Sequence, residues 1–355
     1  MRRFISIILA PVLLLSLTGC FGPPVDPDTV QESIQVIAMD TPMLISTYGR
    51  RSTAAAYASE DLIRDLESRL SRTEADSAVS RLNRGETVEP DEDLTTLLRL
   101  ADLFRDRTGG AFNIGVAPLV SAWGFTTDHN QVPAPSEIGR LLKVVEETAP
   151  RESPEGLSLG PDQAIDLGGI AKGYAADKLS DLFREYEIPR AMAQLGGNVL
   201  AWGDRPDGTA WRVGVQDPAR PDEQNAFAGI LNLKNAFAVT SGGYQRYFEE
   251  GGKRYHHIID PATGYPADSD LTSVTVVADC SYDDYMGTLC DAFSTAFFIM
   301  GEEEALGFWR EWQKESPSFF DLVLITENGR VVVTQGLAES FTLDEGSGYT
   351  LEIVS

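Results

Sequence analysis

The chain has 355 residues, enough for one large domain or two ordinary ones, and 43% of them are apolar, ample for a packed core. Against 29 basic residues stand 54 acidic ones, a net charge of −25, so the surface repels nucleic-acid phosphates and anionic headgroups, and phosphate-backbone binding is excluded as a role. With three histidines in all, His129, His256 and His257, a His-rich metal site is excluded as well.

The first residues read as an export signal. Arg2 and Arg3 precede an almost unbroken apolar run, Phe4 to Leu17, too short for a comfortable transmembrane helix. It ends Leu17-Thr18-Gly19-Cys20, which resembles a bacterial lipobox. That resemblance implies a signal peptide over 1–19, lipidation of Cys20, and a location on the extracytoplasmic or periplasmic side of a bacterial membrane. Residues 20–32, with three prolines between Phe21 and Pro27, form an extended tether. Residues 33–355 read as one continuous folded unit.

Within that unit, Ser33 to Thr47 predicts a strand and Ala54 to Leu70 a helix, with Leu62, Ile63, Leu66 and Leu70 on one face. Asp93 to Thr108 predicts a second helix, stopped by Gly109-Gly110, and the Pro-rich stretch from Val132 to Pro135 opens a third through Glu147. Ile170 to Tyr186 is helical. Strands follow over Ala191–Ala201, Trp211–Gln216, Phe227–Val239, Tyr255–Ile259 and Leu271–Ala278, then a helix from Tyr285 to Met300. Asn328-Gly329 between Leu322–Thr326 and Arg330–Thr334 signals a hairpin. Helices and strands mix without regular βαβ alternation, which predicts an α+β fold. Cys280 and Cys290 fall in or beside apolar stretches and read as buried free thiols.

Three segments carry chemistry. The helix from Tyr285 to Met300 is apolar on most sides, yet it places Asp291, Ser294 and Thr295 at i, i+3 and i+4. A buried carboxylate needs a partner. A hard cation taking oxygen ligands is one solution, and a cap from backbone or a basic side chain is the other. Asp166 to Tyr174, Asp-Leu-Gly-Gly-Ile-Ala-Lys-Gly-Tyr, runs from a short strand into a helix start. Such glycines admit either a phosphate or a tight turn, and Gly196-Gly197-Asn198 carries the same two readings. Third, Tyr255 to Pro266 pairs adjacent histidines on a strand. They point to opposite faces, so they cannot grip one metal together; one can face a site while the other faces solvent. Ser241 lacks the nucleophile-elbow pattern of a serine hydrolase.

Taken together, these segments resemble the FAD:protein FMN transferase (ApbE) family from about Ile37 to Gly301. The motifs, in order, are Met39-Asp40-Thr41, Ser80-Arg81-Leu82-Asn83, Gly109-Gly110-Ala111-Phe112-Asn113, Trp123-Gly124-Phe125, Asp166 through Asp177, Leu195-Gly196-Gly197-Asn198, Ser241-Gly242, His257 through Pro266, and Asp291-x-x-Ser294-Thr295. The resemblance implies a single two-lobed α+β unit with mixed or antiparallel sheets, flanking helices and FAD in the cleft between lobes. It implies FAD contacts at Met39, Ala111, Phe112, Asn113, Asp166, Lys172 and Ile259, and Mg²⁺ held by Gly169, Asp291, Ser294 and Thr295, Gly169 through its carbonyl, and Ser294 likewise if its hydroxyl points elsewhere.

The activity implied is phosphoryl transfer, in which a Ser or Thr hydroxyl of an exported redox protein attacks the FMN-side phosphorus of FAD and AMP leaves. His257 is the candidate proton acceptor, and equally a hydrogen-bond partner of the flavin or a phosphate. Two positions depart from the family pattern. Asn113 stands where many members carry Asp. Thr73 falls where transferases often carry a Tyr that stacks on the isoalloxazine ring, which keeps FAD hydrolysis to FMN and AMP open. A non-catalytic flavin-binding lipoprotein is the third reading, disfavoured because flavin binding alone needs no Mg²⁺ site.

Overall fold

The computed structural model describes residues 29–125, 129–316 and 319–355; the signal segment, Cys20 and most of the tether lie outside them. In chain order the elements are β1 (Gln31–Ala38), β2 (Thr41–Tyr48), α1 (Ser52–Leu70), α2 (Ala78–Asn83), α3 (Glu92–Arg107), α4 (Ala117–Trp123), α5 (Pro135–Glu147), β3 (Arg151–Ser153) and β4 (Gly156–Ser158). The second half contains α6 (Ala171–Glu185), β5 (Arg190–Leu195), β6 (Asn198–Trp202), β7 (Trp211–Gln216), β8 (Phe227–Leu233), β9 (Ala236–Gly242), β10 (Tyr247–Glu250) and β11 (Lys253–His256). After these come β12 (Leu271–Asp279), α7 (Met286–Glu315), β13 (Asp321–Thr326), β14 (Arg330–Thr334), β15 (Phe341–Leu343) and β16 (Thr350–Val354). This is the expected α+β class.

Among the described residues, nine strands form one sheet in the order β1-β2-β5-β6-β9-β12-β13-β14-β16. All neighbours are antiparallel except β14 and β16. The central strands are covered on both faces, which explains their near-continuous apolar runs. Leu322 and Leu324 of β13 enter a core beneath the helices, while Val323 and Ile325 of the same strand enter a second core. The first core is closed by α1, α3, α6 and α7. The second is closed by a three-stranded sheet, β15-β8-β7, through Trp211, Val215, Leu231 and Phe341. A smaller apolar cluster joins α4 and α5 to Ile259. Cys280 and Cys290 are buried free thiols, as the sequence suggests.

Three expected strands are in fact pairs. Ser33 to Thr47 is the β1–β2 hairpin, turned at Met39 and Asp40, both with positive φ (49° and 58°). Ala191 to Ala201 folds back at Gly196-Gly197 into β5 and β6. Phe227 to Val239 reverses at Lys234-Asn235, so that β8 joins the small sheet and β9 the large one. The helix expected to end at Met300 runs on to Glu315 across a kink at Gly301, whose φ of 80° and ψ of 178° are non-helical.

The helices α6 and α7 meet backbone to backbone. A Cβ on Gly173 would lie 2.2 Å from the Gly287 carbonyl oxygen, and one on Gly287 would lie 2.7 Å from that of Gly173. Each helix caps the other at this crossing. Asp177 of α6 accepts hydrogen bonds from the Gly287 and Thr288 backbone N–H groups (2.7 and 2.8 Å) at the start of α7. Asp291 of α7 accepts one from Gly173 N–H (2.9 Å) in the first turn of α6. Neither helix has a side-chain cap of its own, so these carboxylates satisfy donors that would otherwise be orphaned. Burial pushes the Asp177 carboxyl up to about 7, against the pull of its donors.

Gly173→Ala is therefore expected to destabilise the protein by about 2–3 kcal/mol, because backbone rather than a movable side chain fills the space. Gly139→Ala, in α5 with open space around it, is expected to be neutral or stabilising by about 0.5–1 kcal/mol. Chemical denaturation of the two variants checks the contrast.

Candidate functional site

A cavity of about 880 Å³ opens where the large sheet, the small sheet, α7 and the α4 region converge, a size suited to a sizeable organic ligand. Of the residues singled out from the sequence, Met39, Thr73, Ala111, Phe112, Asn113, Asp166, Gly169, Lys172, His257, Ile259, Asp291 and Thr295 all line it. Ser294 does not. The i+3 spacing turns its hydroxyl away from the cavity wall, where it donates to the Asp291 carbonyl (2.9 Å) and meets Ser241 Oγ (2.8 Å).

Local structure explains each position. Met39 sits in the β1–β2 turn, where its N–H donates to Glu67 Oε1 (2.6 Å). Ala111 and Phe112 follow α3, with Phe112 N–H held by Thr108 Oγ1 (3.0 Å). The Asn113 side chain accepts from Gly115 N–H (2.8 Å) and caps a short 3₁₀ turn; an amide does this without a carboxylate's charge. Asp166 accepts from Gly168 N–H on one oxygen (2.8 Å) and from Arg72 Nη1 on the other (2.6 Å). Lys172, in the first turn of α6, donates to the Gly168 carbonyl (3.0 Å). Thr73 is tied to Ser71, hydroxyl to hydroxyl at 2.9 Å. Ile259 pairs with Pro266 across a turn.

The two histidines separate as strand geometry predicts, though not into site and solvent. His256 turns inward onto Phe298, edge to face at 5.4 Å. Its Nε2 donates to the Ala267 carbonyl (3.1 Å) and its Nδ1 accepts from Ile258 N–H (3.3 Å), so both nitrogens are used. His257 faces the cavity. A carbonyl only accepts, so the 3.2 Å contact between its Nδ1 and the Arg246 carbonyl fixes the proton on Nδ1 and leaves Nε2 as the lone-pair nitrogen. Burial, then the Arg246 charge, push the ring down to about 4.

Asp291 is buried and bound to Gly173 N–H and to Asn198 Nδ2 (3.3 Å). The backbone cap weighed from sequence is thus present, but it leaves carboxylate lone pairs for a further partner. Asn198 Oδ1, also buried, has no hydrogen-bond partner, an orphaned acceptor beside the carboxylate. A Cβ on Gly169 would lie 3.7 Å from Thr295 Oγ1, which brings that glycine against the hydroxyl. Among the described residues no three His, Cys, Asp or Glu side chains cluster to hold a metal. A cation here would take one carboxylate plus hydroxyl and carbonyl oxygens, a donor set that fits Mg²⁺ and not a thiophilic metal. Ser241 Oγ is engaged by the Ser294 and Thr295 hydroxyls (2.8 and 3.2 Å) and by no imidazole, which removes the hydrolase triad reading.

Sequence reasoning missed Arg72 and Arg246, both in the wall. Arg72 lies in a polar stretch between helices that reads as an ordinary surface loop, and nothing local marks it.

The ApbE family model matches residues 39–320. The FAD:protein FMN transferase of Treponema pallidum (strain Nichols) is 32% identical over 319 residues, covering 83% of this chain and 84% of its own. That of Klebsiella pneumoniae (strain 342) is 32% identical over 324 residues, covering 88% and 95%. The crystal structure of the ApbE protein of Thermotoga maritima superposes with a TM-score of 0.75 at 30% identity, covering 88% of this chain and 99% of the other.

The lowered His257 value predicts that its ring stays neutral on acidification until about pH 4. A group depressed in the folded state contributes stability above its unfolded value, near 6.5, and loses that contribution as pH falls toward 4. Histidine-selective NMR titration of the folded chain checks the midpoint.

Proposed function

The chain belongs to the ApbE family, and on that premise we propose that it transfers FMN from FAD to a Ser or Thr hydroxyl of an exported redox protein, releasing AMP. The observation that carries this reading is the convergence of the family's separate motifs on one cavity, whose wall holds the buried Asp291 carboxylate and Thr295, with Gly169 against the Thr295 hydroxyl.

The acceptor oxygen attacks the FMN-side phosphorus, the bond from that phosphorus to the bridging oxygen breaks, and the AMP phosphate leaves with the electron pair. His257, whose Nε2 keeps its lone pair, is assigned to accept the hydroxyl proton or, equally, a hydrogen bond from the flavin. Lys172 supplies a cation close to the glycine turn. The cavity wall carries Asp40, Glu67, Asp166, Asp222 and Asp291 against Arg72, Lys172 and Arg246, so a pyrophosphate enters an acidic environment. That balance favours a divalent cation as co-ligand. Mg²⁺, held by Asp291, Thr295, the Gly169 carbonyl and the backbone at Ser294, would neutralise the pyrophosphate and the developing charge on the leaving phosphate.

One observation favours a second activity. Thr73 offers the cavity a small hydroxylated side chain tied to Ser71, where an aromatic ring would grip the flavin. A looser flavin gives water access to the same phosphorus, yielding free FMN and AMP.

We further propose that Cys20 is lipidated, with the folded unit held at the extracytoplasmic face of a bacterial membrane by residues 20–32. Cys20→Ser is expected to release the protein into the soluble fraction; persistence of a lipid-anchored form would contradict the assignment.

The transfer reading is tested by incubating the protein with FAD, Mg²⁺ and an acceptor domain, then weighing the acceptor by mass spectrometry. The expected result is a Mg²⁺-dependent gain of one FMN. Free FMN and AMP with no gain on any acceptor would establish hydrolysis instead. Asp291→Ala is expected to lower FAD turnover on the order of a thousandfold, with Mg²⁺ binding by calorimetry lost in parallel.

A further inference from the structure

Arg72 is unexplained by the motifs, yet it is among the most constrained side chains of the cavity wall. Its guanidinium is held at two nitrogens: Nη1 on Asp166 Oδ2 at 2.6 Å, and Nη2 on Ser121 Oγ at 2.7 Å. It is only 16% exposed, and its partner Asp166 is 18% exposed. Hydrogen bonds to a guanidinium lie in its plane. Anchoring at the edge therefore fixes the plane and spends no hydrogen bond on either face.

The aromatic side chains of the wall do not offer an equivalent surface. Phe112, Phe125 and Tyr244 line the cavity but are 4%, 7% and 8% exposed, packed into the cores behind it. Phe112 meets Phe104 edge to face. A flat heteroaromatic ligand entering this space meets, next in sequence to Thr73, a planar cation already oriented by two hydrogen bonds. Guanidinium planes stack on such rings, and the charge adds a cation–π attraction.

We propose that Arg72 is a binding residue of this site, stacking its guanidinium on the isoalloxazine ring and so replacing an aromatic side chain at Thr73. This rests on the flavin reading of the cavity. It assigns Asp166 and Ser121 the task of orienting Arg72 in addition to any contact they make with the ligand. FAD carries two flat rings, and the adjacency to Thr73 selects the flavin over the adenine.

The test measures binding of FMN, FAD and AMP separately to the full chain by calorimetric titration, with thermal melts confirming that each variant is folded. Arg72→Ala is expected to weaken FMN and FAD at least about fivefold and to leave AMP unchanged. Arg72→Lys keeps the charge beside Asp166 but not the plane, and is expected to fail to restore FMN affinity. Thr73→Tyr in the Arg72→Ala background is expected to restore it. Full rescue by lysine would show that the ion pair alone matters and overturn the proposal. So would loss confined to AMP, or unchanged FMN affinity in folded Arg72→Ala. If the unaltered chain bound neither FMN nor FAD, the flavin reading itself would fall, an outcome distinct from a wild type that binds flavin indifferently to Arg72.

Discussion

The crossing of α6 and α7 at Gly173 and Gly287 is the constraint on which the site depends. Backbones this close exclude any side chain at the contact, and each helix supplies the carboxylate that caps the other. Asp291 is thus part of the fold before it is part of any chemistry. Its cost of burial is offset by a backbone donor and an amide, and its remaining lone pairs are presented at a fixed distance from the glycine turn that precedes α6. The Asp166–Asp177 motif and the Asp291–Thr295 motif, far apart in sequence, are in this sense one structural unit.

A related division of labour runs through the other polar groups. Asp166, Asn113 and His256 hydrogen-bond to the protein itself, while His257 keeps the lone pair of Nε2 and Asn198 Oδ1 is a buried acceptor without a partner.

The motifs made most of the site legible, because glycine turns and a polar pair on an apolar helix are readable in one dimension. What was lost is also specific. Three reversals were each read through as one strand: Met39-Asp40 and Gly196-Gly197 turn hairpins, and Lys234-Asn235 sends β8 and β9 into different sheets, although Asp, Gly and Asn are ordinary turn residues. Helical spacing groups Ser294 with Asp291 and Thr295 but cannot say where its hydroxyl goes; that hydroxyl is bonded to Ser241 and the Asp291 carbonyl, which leaves the backbone carbonyl as the alternative donor. Arg72 could not be found at all, since its significance lies in Asp166 and Ser121, residues 94 and 49 positions away.

The large sheet begins with β1 and ends with β16, and these two strands are its opposite edges. Its second core draws on Val331, Val333 and Phe341, and the Tyr349 hydroxyl reaches back to Asp217 (2.7 Å), just before the loop whose Pro221 and Asp222 line the cavity. The family match stops at residue 320, but the architecture does not. The strands after residue 320 buttress the sheet and the loop that carry the cavity, so a substitution there reaches the site through its supports rather than through a ligand contact.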